Sequence, residues 1–317
     1  MSYSRNAAVD YAEKNWKTNC HDGVISIIGA PIISVEAKKR EFGLTPPSAW
    51  SVEWMRNFQH DDGHGRLVTE QEAAAFVGPG RSIVFLQGWA GLGDCAHFLT
   101  SCLTAGGVRD LKSDFVPYVN SFLRNLPFTK IVGDELSQDG TRRIIEKRIM
   151  KQGDVILYFA VPGPGAELGG GYVHSAIFVS PSTISCHTIS RWDEPWDAPH
   201  DGVGFRFTLV HFSHDDPPIP EDAILAGWWE MNWRGTPYFY FFERGRAWYT
   251  KSRPTSKGNP GLRTGTGYYF EPRVASRSDF LICWNETGAV EEFAISPNRQ
   301  SLTGTWNGSE QITGHRL

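Results

Sequence analysis

The hydrophobic period of this chain changes from helical to alternating as it runs from its N- to its C-terminal half. Residues 5–16 (RNAAVDYAEKNW) set Ala8, Tyr11, Ala12 and Trp16 at helical spacing and predict an amphipathic helix. The stretch that follows, to Gly80, is mixed. It holds a strand-like run at 24–28, the pair Pro46-Pro47, a polar loop near 61–65 and a short helix over 70–76, stopped by Gly78-Pro79-Gly80. Residues 82–86 read as a strand and 88–93 (GWAGLG) as a glycine-rich bend. In the next segment Phe98, Leu99, Cys102 and Leu103 form one apolar stripe. That stripe predicts a helix with Asp94 as its N-cap and a stop at Gly106-Gly107. Two further helices are expected over 114–123 and 141–150.

Past Gly153-Asp154 the alternation takes over. Residues 155–159 (VILYF) read as a buried strand, and a glycine-rich turn over 163–171 leads into a second strand at 172–179. A Ser-Pro-Ser turn gives a third at 184–188, and 204–212 adds a fourth. Residues 213–222 (SHDDPPIPED) are rich in proline and acid and are expected to be a linker. Beyond them short β-type runs recur at 224–229, 238–242, 247–249, 267–270, 280–284, 290–293 and 302–306. About eight strands in roughly ninety residues predict a small barrel or sandwich. The expected organisation is a first domain over 1–212 with an insertion near 23–80, the linker 213–222, and a small all-β domain over 223–317.

Composition narrows the function classes. A net charge of −4 lacks the basic excess that nucleic acid or an anionic membrane would select. No stretch approaches the ~20 apolar residues of a membrane span. The polar N-terminus carries no apolar core of a secretory signal, so synthesis in a bacterial cytoplasm is expected, with any export by a leaderless route such as type VI secretion. The five cysteines, at 20, 95, 102, 186 and 283, are odd in number, scattered and without a C-x-x-C pair. Neither a disulfide framework nor a zinc site is indicated, and no cofactor is called for. The aromatic surplus (12 Trp, 10 Tyr, 19 Phe) crowds toward the C-terminal third, where packing of a small β core is its commoner use.

One constellation suggests chemistry. A cysteine nucleophile needs a stabilised thiolate, and the first turn of a helix supplies positive potential for it. Cys95 stands there, just after the glycine bend. It also needs an imidazole to take its proton, held by a further polar group. His174 opens a predicted strand, and His187 lies 13 residues on, where a hairpin brings the neighbouring strand alongside. Taken singly, a cysteine on an apolar stripe is usually a small core residue, as Cys102 is expected to be, and a lone strand histidine is usually structural. The order helix-Cys, Gly-Asp-strand, His-strand, His-strand raises the odds.

In that order the sequence resembles the amidase domains of the NlpC-type, papain-like cysteine hydrolases. The similarity rests on the helix 5–16, on 93–107 (GDCAHFLTSCLTAGG), on Gly153-Asp154-Val155-Ile156, on 174–179 (HSAIFV) and on 187–191 (HTISR), in patches over about residues 5 to 200. It implies an α+β papain-like domain with Cys95 as nucleophile, His174 as base and His187 as the orienting third residue. Ala96-His97 and Ser190 depart from the family's pattern, which puts substrate preference in question more than chemistry. The oxyanion hole is expected to use the Cys95 backbone N–H, with Gln87 as a weaker candidate. Asp193 and Asp197 are alternatives to His187, less favoured because 192–199 reads as a loop. His97, about 200° around the helix from Cys95, is expected to be structural, and His60 and His64 to sit in a solvated loop.

The resemblance implies cleavage of amide or peptide bonds in peptidoglycan stem peptides through a Cys95 acyl-enzyme, in an exported antibacterial effector. The alternatives are a cysteine deamidase or protease acting on a protein in a cytoplasm, and a non-catalytic partner- or glycan-binding protein. Partners implied are peptidoglycan or a peptide substrate, with an immunity or carrier protein at the C-terminal domain. For that domain, Trp228, Trp229, Trp233, Tyr238 and Tyr240 are candidate binding residues. At most half of the run 238–242 can face outward, since alternate members face a core.

Overall fold

The computed structural model describes residues 3–17, 26–28, 82–84, 94–111, 116–161, 171–187, 190–200, 204–216, 225–255, 263–270 and 278–317. In chain order the first elements are α1 (Arg5–Asn15), β1 (Ser26–Ile28), β2 (Ser82–Val84), α2 (Asp94–Ala105), α3 (Val116–Arg124), β3 (Thr129–Leu136) and α4 (Gln138–Glu146). Strands follow: β4 (Val155–Ala160), β5 (Gly171–Phe178), β6 (Thr183–Cys186), β7 (Arg191–Pro195) and β8 (Phe205–Phe212). The last eight are β9 (Gly227–Trp233), β10 (Thr236–Glu243), β11 (Arg246–Thr250), β12 (Gly265–Phe270), β13 (Phe280–Trp284), β14 (Val290–Ile295), β15 (Ser301–Trp306) and β16 (Glu310–Arg316). The described residues are thus mostly β, with a closed eight-strand barrel, a second sheet and few helices. The chain forms two compact units, Met1–Leu126 with Val155–Phe205, and Pro127–Asp154 with Arg206–Leu317.

In the first unit α1 is capped by Ser4, whose hydroxyl accepts the Ala7 N–H at 3.2 Å. It buries Ala8 and Ala12, small residues that let it pack closely against α2. The Ser4 N–H reaches the Gly106 carbonyl at 2.7 Å, and the Tyr3 ring occupies the space a side chain at 106 would need. The stripe Phe98, Leu99, Cys102 and Leu103 is wholly buried. α2 stops where the sequence predicts: Gly107 takes φ +98°, and the Val108 N–H bonds back to the Leu103 carbonyl. Both α2 and α3 pack on β5.

Strands β4, β5, β6 and β7 are antiparallel neighbours in the second sheet. The register of β4 and β5 pairs Tyr158 with His174, and that of β5 and β6 pairs Phe178 with Ile184. Residues 155–158 are fully buried, as the uninterrupted apolar run predicts. β7 corrects the expectation of a loop after Arg191. It pairs with β6 through Thr183↔Pro195 and Ile184↔Glu194, but it stays largely exposed and so lacks an apolar alternation. β1 and β2 pair antiparallel, and the expected helix over 70–76 lies outside the described residues.

In the second unit β3 pairs with β8, with an irregular register around Gly133. Below this pair lies a buried ionic knot. His211 Nδ1 is 2.6 Å from Asp154 Oδ2, and Nε2 is 3.0 Å from Asp216 Oδ2. An ionised carboxylate only accepts, so a ring nitrogen facing one donates to it. Asp154 also accepts the Lys151 and Phe212 N–H groups at 2.8 and 3.0 Å. Burial opposes ionisation of Asp216, yet the His211 bond and the charges of His211, Lys151 and Lys130 hold its carboxyl far below the usual range. Asp216 belongs to the stretch expected to be a linker, and its end of that stretch is pinned.

The all-β region is a barrel, not a sandwich: β9 to β16 follow one another and β16 closes on β9, pairing Ile312 with Trp233 and Arg316 with Trp229. Closure removes both sheet edges. The interior is aromatic, with Trp229, Tyr269, Phe242, Phe280 and Phe293 fully buried. Room for these rings comes from inward glycines: a side chain at 267 would come within 2.5 Å of the Cys283 carbonyl and 3.0 Å of the Trp284 ring. α4, capped by Ser137, docks on the β13–β14 turn, where Arg143 donates to the Gly288 and Thr287 carbonyls at 3.2 and 3.3 Å.

One interior residue is acidic. Glu291 is buried, and burial pushes its carboxyl up to about 7, against the bond it accepts from the Tyr240 hydroxyl at 2.8 Å. A raised folded value means that its contribution to stability is full below about pH 4.5 and is lost as pH rises through 7. The loss is at most about 3 kcal/mol. Urea unfolding of wild type and Glu291→Gln at pH 5 and pH 8 should show the glutamine variant gaining on wild type at the higher pH. A difference independent of pH would contradict this account of the carboxyl.

Candidate functional site

Cys95 is the second residue of α2, in the turn where the helix dipole is positive. Its residue is 2% exposed. His174 sits in β5, the strand on which α2 packs, and is 3% exposed. Its Nε2 is buried and has no hydrogen-bond partner among the described residues. Two rings enclose it: Tyr158, its cross-strand partner, at 5.1 Å between centroids, and His200 at 5.2 Å and 81°. His200 is itself stacked on Phe205 at 4.2 Å. Burial first, then the charges of His200 and Arg191, hold the His174 imidazole well below its ordinary value.

Tyr158 meets the His174 ring and lies within electrostatic reach of Cys95. It is buried, its hydroxyl donates to the Trp196 carbonyl at 2.6 Å, and its pKa is pushed well up. The cause is burial first, then Cys186 and Asp197, with a smaller part from Cys95 and an opposing one from Arg191. Cys186 lies in the same cluster. Burial pushes its thiol up to about 12, with Arg191 opposing and Cys95 adding to the rise. Cys102, two turns further along α2, is raised by burial alone apart from a backbone hydrogen bond that opposes it, which is core behaviour.

His187 follows β6 in a turn, so strand alternation no longer fixes its direction. Its ring stacks on Phe98 at 4.0 Å, and Nε2 lies 3.1 Å from the Asn15 carbonyl, to which it must donate. These contacts tie the end of β6 to α1 and α2. The histidine ring that meets His174 in this cluster is that of His200, edge-on at 5.2 Å. Asp193 accepts the Thr183 hydroxyl at 2.6 Å on the exposed β7, whereas Asp197 acts on Tyr158. His97 is buried in α2. Gln87, Cys20, His60 and His64 lie outside the described residues.

No family model, curated protein or solved structure matches this chain. Among the described residues no group of three or more His, Cys, Asp or Glu is arranged to hold a metal ion. No helix among them is long and apolar enough to cross a membrane.

Tyr158, His200 and Arg191 are the cluster members that sequence reasoning missed. Arg191 lay within a quoted motif, but its reach toward His174 depends on β6–β7 pairing. His200 needed the path of the chain after β7. A lowered folded value means that the His174 contribution to stability is present above about pH 6.5 and is lost as pH falls through the folded value. Imidazole NMR should give a His174 midpoint below 6.5, moving upward in Arg191→Ala. A midpoint at or above 6.5 in the wild type would contradict the environment described.

Proposed function

We propose that this protein is a cysteine hydrolase that cleaves amide or peptide bonds through a Cys95 acyl-enzyme, with His174 as base. The observation that carries the reading is the His174 imidazole. It is buried, its Nε2 makes no hydrogen bond among the described residues, and it stands on the strand that supports the helix bearing Cys95. A buried nitrogen left without a partner costs stability, and such groups concentrate where chemistry needs them. The papain-like fold class implied by the sequence resemblance belongs to this proposal. α2 packed on an antiparallel meander is consistent with it.

In this mechanism neutral His174 takes the Cys95 proton. The thiolate attacks the substrate carbonyl carbon, and a C–S bond forms as the tetrahedral oxyanion develops near the first turn of α2. Collapse breaks the C–N bond, and the imidazolium gives its proton to the leaving amine. Water, deprotonated by His174, then attacks the thioester carbonyl and releases a carboxylic acid and the Cys95 thiol. The depressed His174 value keeps the ring neutral and able to accept at pH 7.

The substrate class that the resemblance supports is the stem peptide of bacterial peptidoglycan, with the protein acting as an exported effector. Purified wild type, Cys95→Ala and His174→Ala are incubated with peptidoglycan and the products read by mass spectrometry. New muropeptides should come from wild type alone, with each variant slowed at least about 10³-fold. Equal products from wild type and Cys95→Ala would overturn Cys95 as nucleophile. Absence of products from wild type would overturn the cell-wall substrate.

A further inference from the structure

One end of the barrel is built differently from the rest. At this end lie the β9–β10, β13–β14 and β15–β16 turns, and the inward residues are Trp233, Tyr238, Tyr249 and Trp306, which are only partly buried. They form a connected ring system: Trp233 to Trp306 at 5.2 Å, Trp233 to Tyr238 at 5.5 Å, and Tyr238 to Tyr249 at 6.1 Å. Beneath them Trp284 meets Tyr249 at 5.0 Å and Tyr240 at 5.2 Å. Glu291, cross-strand partner of Trp306, reaches into this layer. Its Oε1 accepts the Tyr240 hydroxyl and the Trp284 indole also bears on the carboxyl, while among the described residues Oε2 is buried with no partner at hydrogen-bond distance.

Two more carboxylates stand at the same end. Glu310 accepts the Trp233 indole N–H at 3.0 Å and pairs with Arg234, the basic residue of the β9–β10 turn. Glu286 accepts the Thr266 N–H and hydroxyl at 2.9 and 2.8 Å, and its charge is felt by Tyr249. The ring faces are electron-rich and the fixed charges are mostly acidic. A cation is the complement of such a surface. The unpartnered Oε2 further selects a cation that can donate a hydrogen bond, which a quaternary ammonium cannot.

We propose that the Trp233–Tyr238–Tyr249–Trp306 mouth of the barrel, with Glu291 at its base, binds a primary alkylammonium group such as a lysine side chain. The ammonium donates to Glu291 Oε2 and lies against the ring faces, and the alkyl stem displaces water from the aromatic rim. This site belongs to the barrel alone and does not depend on the Cys95 chemistry.

The test is calorimetric titration of the full chain with Nα-acetyl-lysine amide. The controls are its uncharged isostere Nα-acetyl-norleucine amide and a neutral N-acetylglucosamine disaccharide. The lysine derivative alone should saturate. Glu291→Gln should weaken it at least about tenfold and Trp306→Ala about threefold or more. Cys95→Ala should bind as wild type does, which separates this site from the hydrolase reading. Because Trp306 lies at the partly exposed rim, Trp306→Ala decides the matter if Glu291→Gln does not fold. No saturation with the lysine derivative, equal binding of norleucine, or saturation by the sugar alone would each overturn the proposal. So would lysine binding unchanged in the folded variants.

Discussion

A neutral imidazole held in a dry place without a hydrogen bond on one nitrogen is the constraint around which the functional reading turns. Leaving such a group unsatisfied costs about 1–3 kcal/mol, which a fold offsets with burial elsewhere. Here the offset is visible in the neighbours. The run 155–158 is fully buried beside β5, and the stripe of α2 is fully buried as the helix packs on that strand. His174 is thereby fixed by packing rather than by polar partners: Tyr158 on one side and His200 on another, with Phe205 stacked behind His200. An imidazole of this kind keeps its lone pair for something that arrives later, and in the proposed mechanism that is the proton of Cys95.

The second unit solves a different problem with different means. Around His211 its buried polar groups are paired: His211 sits between two carboxylates that also take two backbone N–H groups and two lysines. Such a knot is a brace, since every atom with bonding capacity is already used. The barrel instead saturates its backbone by closing, and fills itself with rings set against glycines. Glu291 is the carboxyl set among those rings. The contrast between the satisfied His211 and the half-satisfied Glu291 is what marks the barrel mouth, rather than its aromatic content alone.

Elements with a face to bury were legible in the sequence. α2, its glycine stop, the run 155–159 and most barrel strands show their period in their residues. What escaped were strands whose partners do the work. β16 (EQITGHR) buries only Ile312 and the side-chain-free Gly314, which faces Met231, so its alternation is nearly invisible. β3 (TKIVGDEL) is broken by the irregular register at Gly133, and β7 is exposed along most of its length. For the candidate site, the elements carrying Cys95 and His174 could be placed from periodicity. The surroundings of His174 could not, because Tyr158 reaches it by register and His200 by the course of the chain after β7. His187 reads from the sequence as a strand residue beside His174, whereas in the structure it follows β6 in a turn, with its ring on Phe98 and Nε2 at the Asn15 carbonyl.

The central claim is that Cys95 is a nucleophile activated by His174, and at 2% exposure it must also be reachable. Timed alkylation with iodoacetamide at pH 7, read residue by residue by peptide mass spectrometry, tests both at once. The account predicts that Cys95 is modified first, well ahead of the buried Cys102, Cys186 and Cys283, and that His174→Ala slows it at least about tenfold. Modification of Cys95 no faster than those three, or at the same rate in the His174 variant, would contradict it.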